Sequence, residues 1–214
     1  MRRKYLAIMA LSVAAGSATA SAATMTLGFD NISGNSATNA AIGESQFKVT
    51  ISQMGAQVNF RFFHDGSAAS SIAQIYFDDR TPRLGAATLA GSGSGVVFAP
   101  NGSPPVLPAA NNASPAFAVT KRFSANNPAP SKGINPGEFL DIKFSLLSGD
   151  FDSVLSDIGS GKLRMGMHVI SFANGGSESF VNGDPPIDPV VPLPTPVTLA
   201  GAGLMCLAAI RRRR

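Results

Sequence analysis

The sequence predicts an all-β protein: an antiparallel β-sandwich or jelly roll of about eight strands with one short helix, set between an N-terminal signal peptide and a C-terminal transmembrane helix. Three observations carry this. Short runs in the body alternate apolar and polar residues, as a sheet with one buried and one wet face requires. Clusters of Gly, Ser, Asn and Pro separate those runs in the manner of turns. Both ends of the chain carry uncharged apolar stretches flanked by basic residues, which is the composition of targeting segments.

At the N-terminus, Arg2, Arg3 and Lys4 precede an apolar stretch from Tyr5 to Gly16. The small residues Ala18-Thr19-Ala20-Ser21-Ala22 then offer cleavage after Ala20 or Ala22, so residues 1–22 read as a signal peptide. The stretch is too short for a comfortable membrane span. It fits ordinary export of an unfolded chain, and Arg2-Arg3-Lys4-Tyr5-Leu6 also fits part of the twin-arginine pattern.

Residues 23–182 read as the β-sandwich domain. Phe47, Val49 and Ile51 alternate with Lys48 and Thr50; Val58, Phe60 and Phe62 alternate with Asn59 and Arg61; Leu140, Ile142, Phe144 and Leu146 alternate with Asp141, Lys143 and Ser145. Gln53-Met54-Gly55-Ala56 is a turn-length link, so the first two runs are expected to pair as a hairpin. Further strands are expected at Met25 to Ile32, Ile72 to Asp78, Gly95 to Ala99, Ala116 to Phe123 and Leu163 to Phe172. One segment favours helix: Phe151, Val154, Leu155 and Ile158 recur at helical spacing, with Asp150 as N-cap and Gly159 as stop. The stretch from Gly85 to Pro136 is the least regular part, with loop compositions rich in turn residues around its two strand candidates.

Charge depends on which residues are counted. The whole chain has 17 basic and 13 acidic residues, a net charge of +4. Without Arg2, Arg3, Lys4 and Arg211 to Arg214, ten basic residues face thirteen acidic, a net charge of −3. The body thus lacks the basic balance of a nucleic-acid binder, and no nucleic-acid partner is expected. Cys206, the sole cysteine, lies in the C-terminal apolar run, so no disulfide is expected in the body.

Signs of catalysis are sparse, and neither an enzyme nor a cofactor is expected. The two histidines, His64 and His168, sit in strand-like surroundings without the company of Cys or His that a zinc site recruits. Asp78-Asp79 and the pair Asp150 and Asp152 could be imagined as calcium ligands or glycosidase acids. Neighbouring strand residues point to opposite faces, however, and no EF-hand spacing is present. Asn31, Asn101 and Asn112 head glycosylation triplets of a kind that arises by chance. Gly91, Gly93 and Gly95 lack the lysine of a phosphate-binding loop.

The C-terminus is the most informative segment. Val191-Pro192-Leu193-Pro194-Thr195 is followed by an apolar run to Ile210 and then by Arg211, Arg212, Arg213 and Arg214. Apolar residues are stabilised in hydrocarbon, and four guanidinium groups are costly to carry across it, so the arginines are expected on the cytoplasmic side. Pro192, Pro194 and Pro196 exclude a regular helix over the whole run, and the remainder to Ile210 would span roughly 22 Å against a hydrocarbon core of about 30 Å. That favours a transient stop over a permanent anchor.

This order of motif, apolar helix and arginine cluster resembles the VPLPA-CTERM sorting signal, a variant of the PEP-CTERM class of exported bacterial proteins. The resemblance covers the last 24 residues, and Thr195 stands where that pattern has alanine. It implies removal of the tail after export by a membrane processing enzyme of the exosortase type. Phe29-Asp30-Asn31-Ile32-Ser33-Gly34-Asn35-Ser36, Ile75-Tyr76-Phe77-Asp78-Asp79 and the segment from His168 to Ser179 are similar to segments of proteins bearing such tails, and that similarity brings no activity with it. It implies that residues 23–182 are one module, with 183–196 a Pro-rich linker holding the sorting motif and 197–214 the apolar helix with its arginine cluster.

Taken together, these features lead us to expect a non-enzymatic exported protein, held for a time in the inner membrane and then delivered to the envelope surface or extracellular matrix as a structural or surface-interaction component. The expected partners are the export translocon, signal peptidase and an exosortase-type enzyme, with exopolysaccharide as a candidate at the destination. The alternative is a secreted carbohydrate- or calcium-binding module.

Overall fold

A computed structural model describes residues 23–183 of the chain. Eleven strands form two antiparallel sheets. The first contains β1 (Thr24–Leu27), β3 (Phe47–Met54), β4 (Gln57–His64), β9 (Phe139–Leu146) and β6 (Leu84–Ser92), in that spatial order. The second contains β2 (Phe29–Asn31), β11 (Ser177–Asn182), β10 (Leu163–Ile170), β5 (Ser71–Asp79), β8 (Lys121–Ala125) and β7 (Phe98–Pro100).

The sheets pack face to face through the alternating apolar residues. Phe77 of β5 meets three rings of the opposite sheet edge-on: Phe60 at 5.2 Å, Phe62 at 5.9 Å and Phe144 at 4.9 Å. Such edge-to-face contacts add roughly 0.5–1.5 kcal/mol per pair beyond the burial of their area. The expected hairpin forms: β3 and β4 pair from Phe47↔His64 to Met54↔Gln57. Gly55 takes φ 63 at the first position of its two-residue link, a conformation a glycine adopts without strain.

β5 is buried at every position, because both faces of the second sheet are covered where it lies. Its inner face meets the first sheet. Its outer face is roofed by the segment 101–120, where Leu107 and Phe117 pack on Tyr76 and Val181.

Several expectations are corrected. Among the described residues the strands number eleven, not about eight. Met25 to Ile32 is not one strand, because the chain passes from one sheet to the other at Gly28, burying Leu27 and Phe29 on either side. Two strands escaped periodicity, β11 and β6; the latter is a bulged edge strand of small residues within the least regular stretch. β8 begins at Lys121, not Ala116, because Phe117 is drawn away to the roof. β7 likewise lies at Phe98–Pro100, later than Gly95 to Ala99, and β10 ends at Ile170, before Ser171 with φ 59.

Among the described residues there are three α-helical segments where the body was expected to hold one. The expected helix is α3 (Phe151–Gly159), and the Asp150 side chain accepts from the Ser153 amide at 2.9 Å as its cap. The others are α1 (Ala37–Gln46) and the single turn α2 (Ala129–Lys132). α1 has almost no apolar stripe, and burial is confined to Asn39 and Gly43.

No helix among the described residues is long and apolar enough to cross a membrane. The signal cleavage region at Ala20 and Ala22, the sorting motif Val191, Pro192, Leu193, Pro194 and Thr195, the apolar helix from 197 and the cluster Arg211, Arg212, Arg213 and Arg214 lie outside the described residues.

Candidate functional site

The titratable residues singled out from sequence occupy structural positions. His64 is 1% exposed and shares a 2.8 Å hydrogen bond between Nε2 and the Ser70 hydroxyl. His168 Nδ1 lies 2.7 Å from Gln74 Oε1, its cross-strand neighbour. Burial pulls both imidazoles below their usual range, which favours the neutral ring. Asp78 and Asp79 do point to opposite faces. Asp78 is fully buried beneath the roof and accepts from Arg164 and Arg80, while Arg164 also donates to the carbonyls of Pro115 and Ala116. Asp79 Oδ2 accepts the amides of Arg83 at 2.9 Å and Leu84 at 2.8 Å, which shapes the turn from β5 into β6. Asp152 lies exposed in the first turn of α3, close to the capping Asp150. Among the described residues no group of three or more His, Cys, Asp or Glu is placed to hold a metal ion.

The segments Phe29–Ser36 and His168–Ser179 meet at Glu178, which alternation alone does not mark. Glu178 of β11 is 1% exposed and accepts from the Ser36 amide at 2.7 Å, the Asn35 amide at 3.2 Å and Asn31 Nδ2 at 3.0 Å, as well as from the Ser33 hydroxyl. Ser36 is the N-cap of α1, so the carboxylate sits where the helix exposes unpaired amides and positive potential. This joins Phe29–Ser36 to the segment ending at Ser179, and its role is to hold α1 on the second sheet.

A cleft of about 600 Å³ opens at one end of the second sheet, between Asn112, Pro115, Ile158, Lys162 and Asn182. Its guanidinium groups, Arg80 and Arg164, are already engaged on Asp78.

The outer face of the first sheet is different in kind. Cross-strand register sets its residues in two rungs perpendicular to the strands. One runs Thr24, Ser52, Asn59, Lys143, Thr88, and the next runs Thr26, Thr50, Arg61, Asp141, Gly91. Between them lies a trough of about 340 Å³. Arg61 grips Asp141 at two points and lies 4.2 Å over the Phe139 ring, while Asn59 Nδ2 donates to Asp141 Oδ1 at 2.9 Å. Burial opposes ionisation of Asp141, yet the hydrogen bonds from Arg61 and Asn59 and the charges of Arg61 and Lys143 outweigh it and hold the carboxyl below the usual carboxylate range. The bond to Asp141 raises the Arg61 guanidinium further. Asn59 is 7% exposed and its Oδ1 accepts no hydrogen bond.

Alternation alone placed Asn59, Arg61, Asp141 and Lys143 on the wet faces of their strands. Their convergence depends on β4 pairing with β9, two strands far apart in sequence with no turn between them to announce it. No family model, no curated protein and no solved structure matches the chain.

Proposed function

We propose that this chain is an exported, non-enzymatic surface-interaction protein, sorted through its C-terminal signal to the cell envelope or the extracellular matrix. The ordered features at the two termini support export and sorting. For the body, the carrying observation is a contrast. The histidines and the buried carboxylates are engaged in holding the fold, while hydroxyl, amide and charged side chains are displayed in open rungs across the outer face of the first sheet. A display of that kind suits contact with a partner rather than turnover of a substrate.

In this reading the translocon and signal peptidase handle the N-terminus, and an exosortase-type enzyme handles Val191 to Thr195. The second reading, a secreted carbohydrate-binding module, is favoured by the same rungs. A calcium-binding module has no such support, because Asp78 and Asp79 diverge and are taken by arginines and backbone amides.

The test is localisation of the chain with and without residues 191–214, combined with intact-mass measurement of the mature protein. The expected result is an envelope or extracellular protein whose mass lacks residues 1–22 and the arginine cluster, and which stays membrane-associated or misrouted when the signal is deleted. A cytoplasmic pool unchanged by the deletion overturns the proposal.

A further inference from the structure

We infer that the trough across the first sheet binds a linear acidic polysaccharide, a chain of sugar rings bearing carboxylates. The inference rests on the surface-interaction reading above and adds the site and the ligand class.

Shape is the first support. The rungs cross all five strands, a path of about 19 Å at the usual spacing between neighbouring strands, and therefore suit an extended ligand. Gly91 keeps one end of the second rung open, since a Cβ there would come within 3.1 Å of Asp141 Oδ2.

Hydrogen-bonding capacity is the second. Thr50 and Ser52 offer hydroxyls that both donate and accept, and both line the trough. A polyhydroxylated chain satisfies such a surface, and an apolar ligand does not.

Charge is the third and selects an acidic ligand. Asp141 is gripped by Arg61 and Asn59, and Lys143 in the neighbouring rung makes no ion pair among the described residues, so two cations against one carboxylate leave the trough with one positive charge in excess. That excess beside rows of hydroxyls matches sparse carboxylates on a sugar chain. A densely charged polymer such as a nucleic acid would need several free cations along the same path.

The test titrates the full chain, in detergent micelles, with polygalacturonate and alginate oligosaccharides of increasing length and with cello- and malto-oligosaccharides as neutral probes. Oligouronates are expected to bind more tightly as they lengthen, up to the span of the sheet, and more tightly than the neutral series. Lys143→Gln is expected to weaken oligouronate binding roughly ten-fold, the scale of one charge-assisted hydrogen bond, with the melting temperature unchanged. Thr50→Val, a second variant at the trough wall, is expected to weaken both series. Oligouronate binding no tighter than neutral binding, or indifferent to Lys143→Gln, overturns the inference. An envelope-located chain that ignores every oligouronate overturns it while leaving the surface-interaction reading standing; cytoplasmic retention overturns that reading whatever the titration gives.

Discussion

Arg61 and Asp141 face each other across β4 and β9 in a two-point bond, Nε to Oδ1 at 2.9 Å and Nη2 to Oδ2 at 2.7 Å. The arginine side chain is half exposed and the carboxylate is 11% exposed, so the pair forms a charged rivet at the middle of an otherwise wet face. Asp141→Asn keeps the shape and removes the charge. Because Arg61 is open to solvent, the expected loss is about 1–2 kcal/mol, the lower part of the range for hydrogen bonds to charged groups. Asp141 titrates below an ordinary carboxylate, so its contribution is present above about pH 4 and disappears as pH falls through the lowered value. Urea unfolding across the acid range should therefore show a shallower acid-side loss in Asp141→Asn than in the parent. Identical slopes would remove Asp141 from the account.

Glu178 gives a local prediction. Replacing it with Gln removes the negative charge from the N-terminus of α1 and leaves one of its buried donors short of a partner, for an expected cost of about 1–3 kcal/mol. Hydrogen exchange should show the amides of α1 and of Ser33 to Ser36 losing protection well before those of β5 and β10. Uniform loss across the domain would mean that Glu178 does not act through this helix.

Gly43 is a packing prediction. A Cβ there would lie 2.1 Å from Cζ of Phe180 and 2.9 Å from Cε2 of Phe47. Alanine is the better helix former by about 1 kcal/mol, but overpacking of this kind costs about 1–3 kcal/mol. Thermal melting of Gly43→Ala should fall below the parent, and a rise would show that α1 is free to shift outward.

The histidines set the near-neutral pH dependence. Burial holds both His64 and His168 neutral in the folded chain below the pH at which the unfolded chain binds protons. Stability is therefore complete above about pH 6.5 and declines as pH drops from there toward the depressed values. Chemical denaturation of the double variant His64→Gln and His168→Gln, compared with the parent between about pH 7 and pH 5, should show a flatter profile. A parent profile already flat in that window would contradict neutral, buried imidazoles.

What the sequence disclosed was local in origin. The period of two in Phe47–Ile51, Val58–Phe62 and Leu140–Leu146 reports a choice each residue makes against its immediate neighbours, and all three runs are strands with their apolar residues buried, Leu146 only in part. Asp150 marks the start of α3 because capping is also local, whereas the helix runs through Gly159, the expected stop, to a cap at Ser160. α1 was illegible for the opposite reason: its sequence has no apolar stripe, and the group that secures its start, Glu178, arrives from a strand at the far end of the domain. β6 was hidden because Gly and Ala carry little strand preference, and β9 supplies the ladder that makes it a strand. The trough shares that origin, since Asn59, Arg61, Asp141 and Lys143 become neighbours solely through β4–β9 register.

The roof over β5 has a consequence for orientation. Residues 101–120 thatch the second sheet, with Arg164 and Asp78 as the peg beneath, while Thr26, Arg61 and Thr88 lie exposed on the outer face of the first sheet. A sandwich finished on one side and bare on the other has a front and a back.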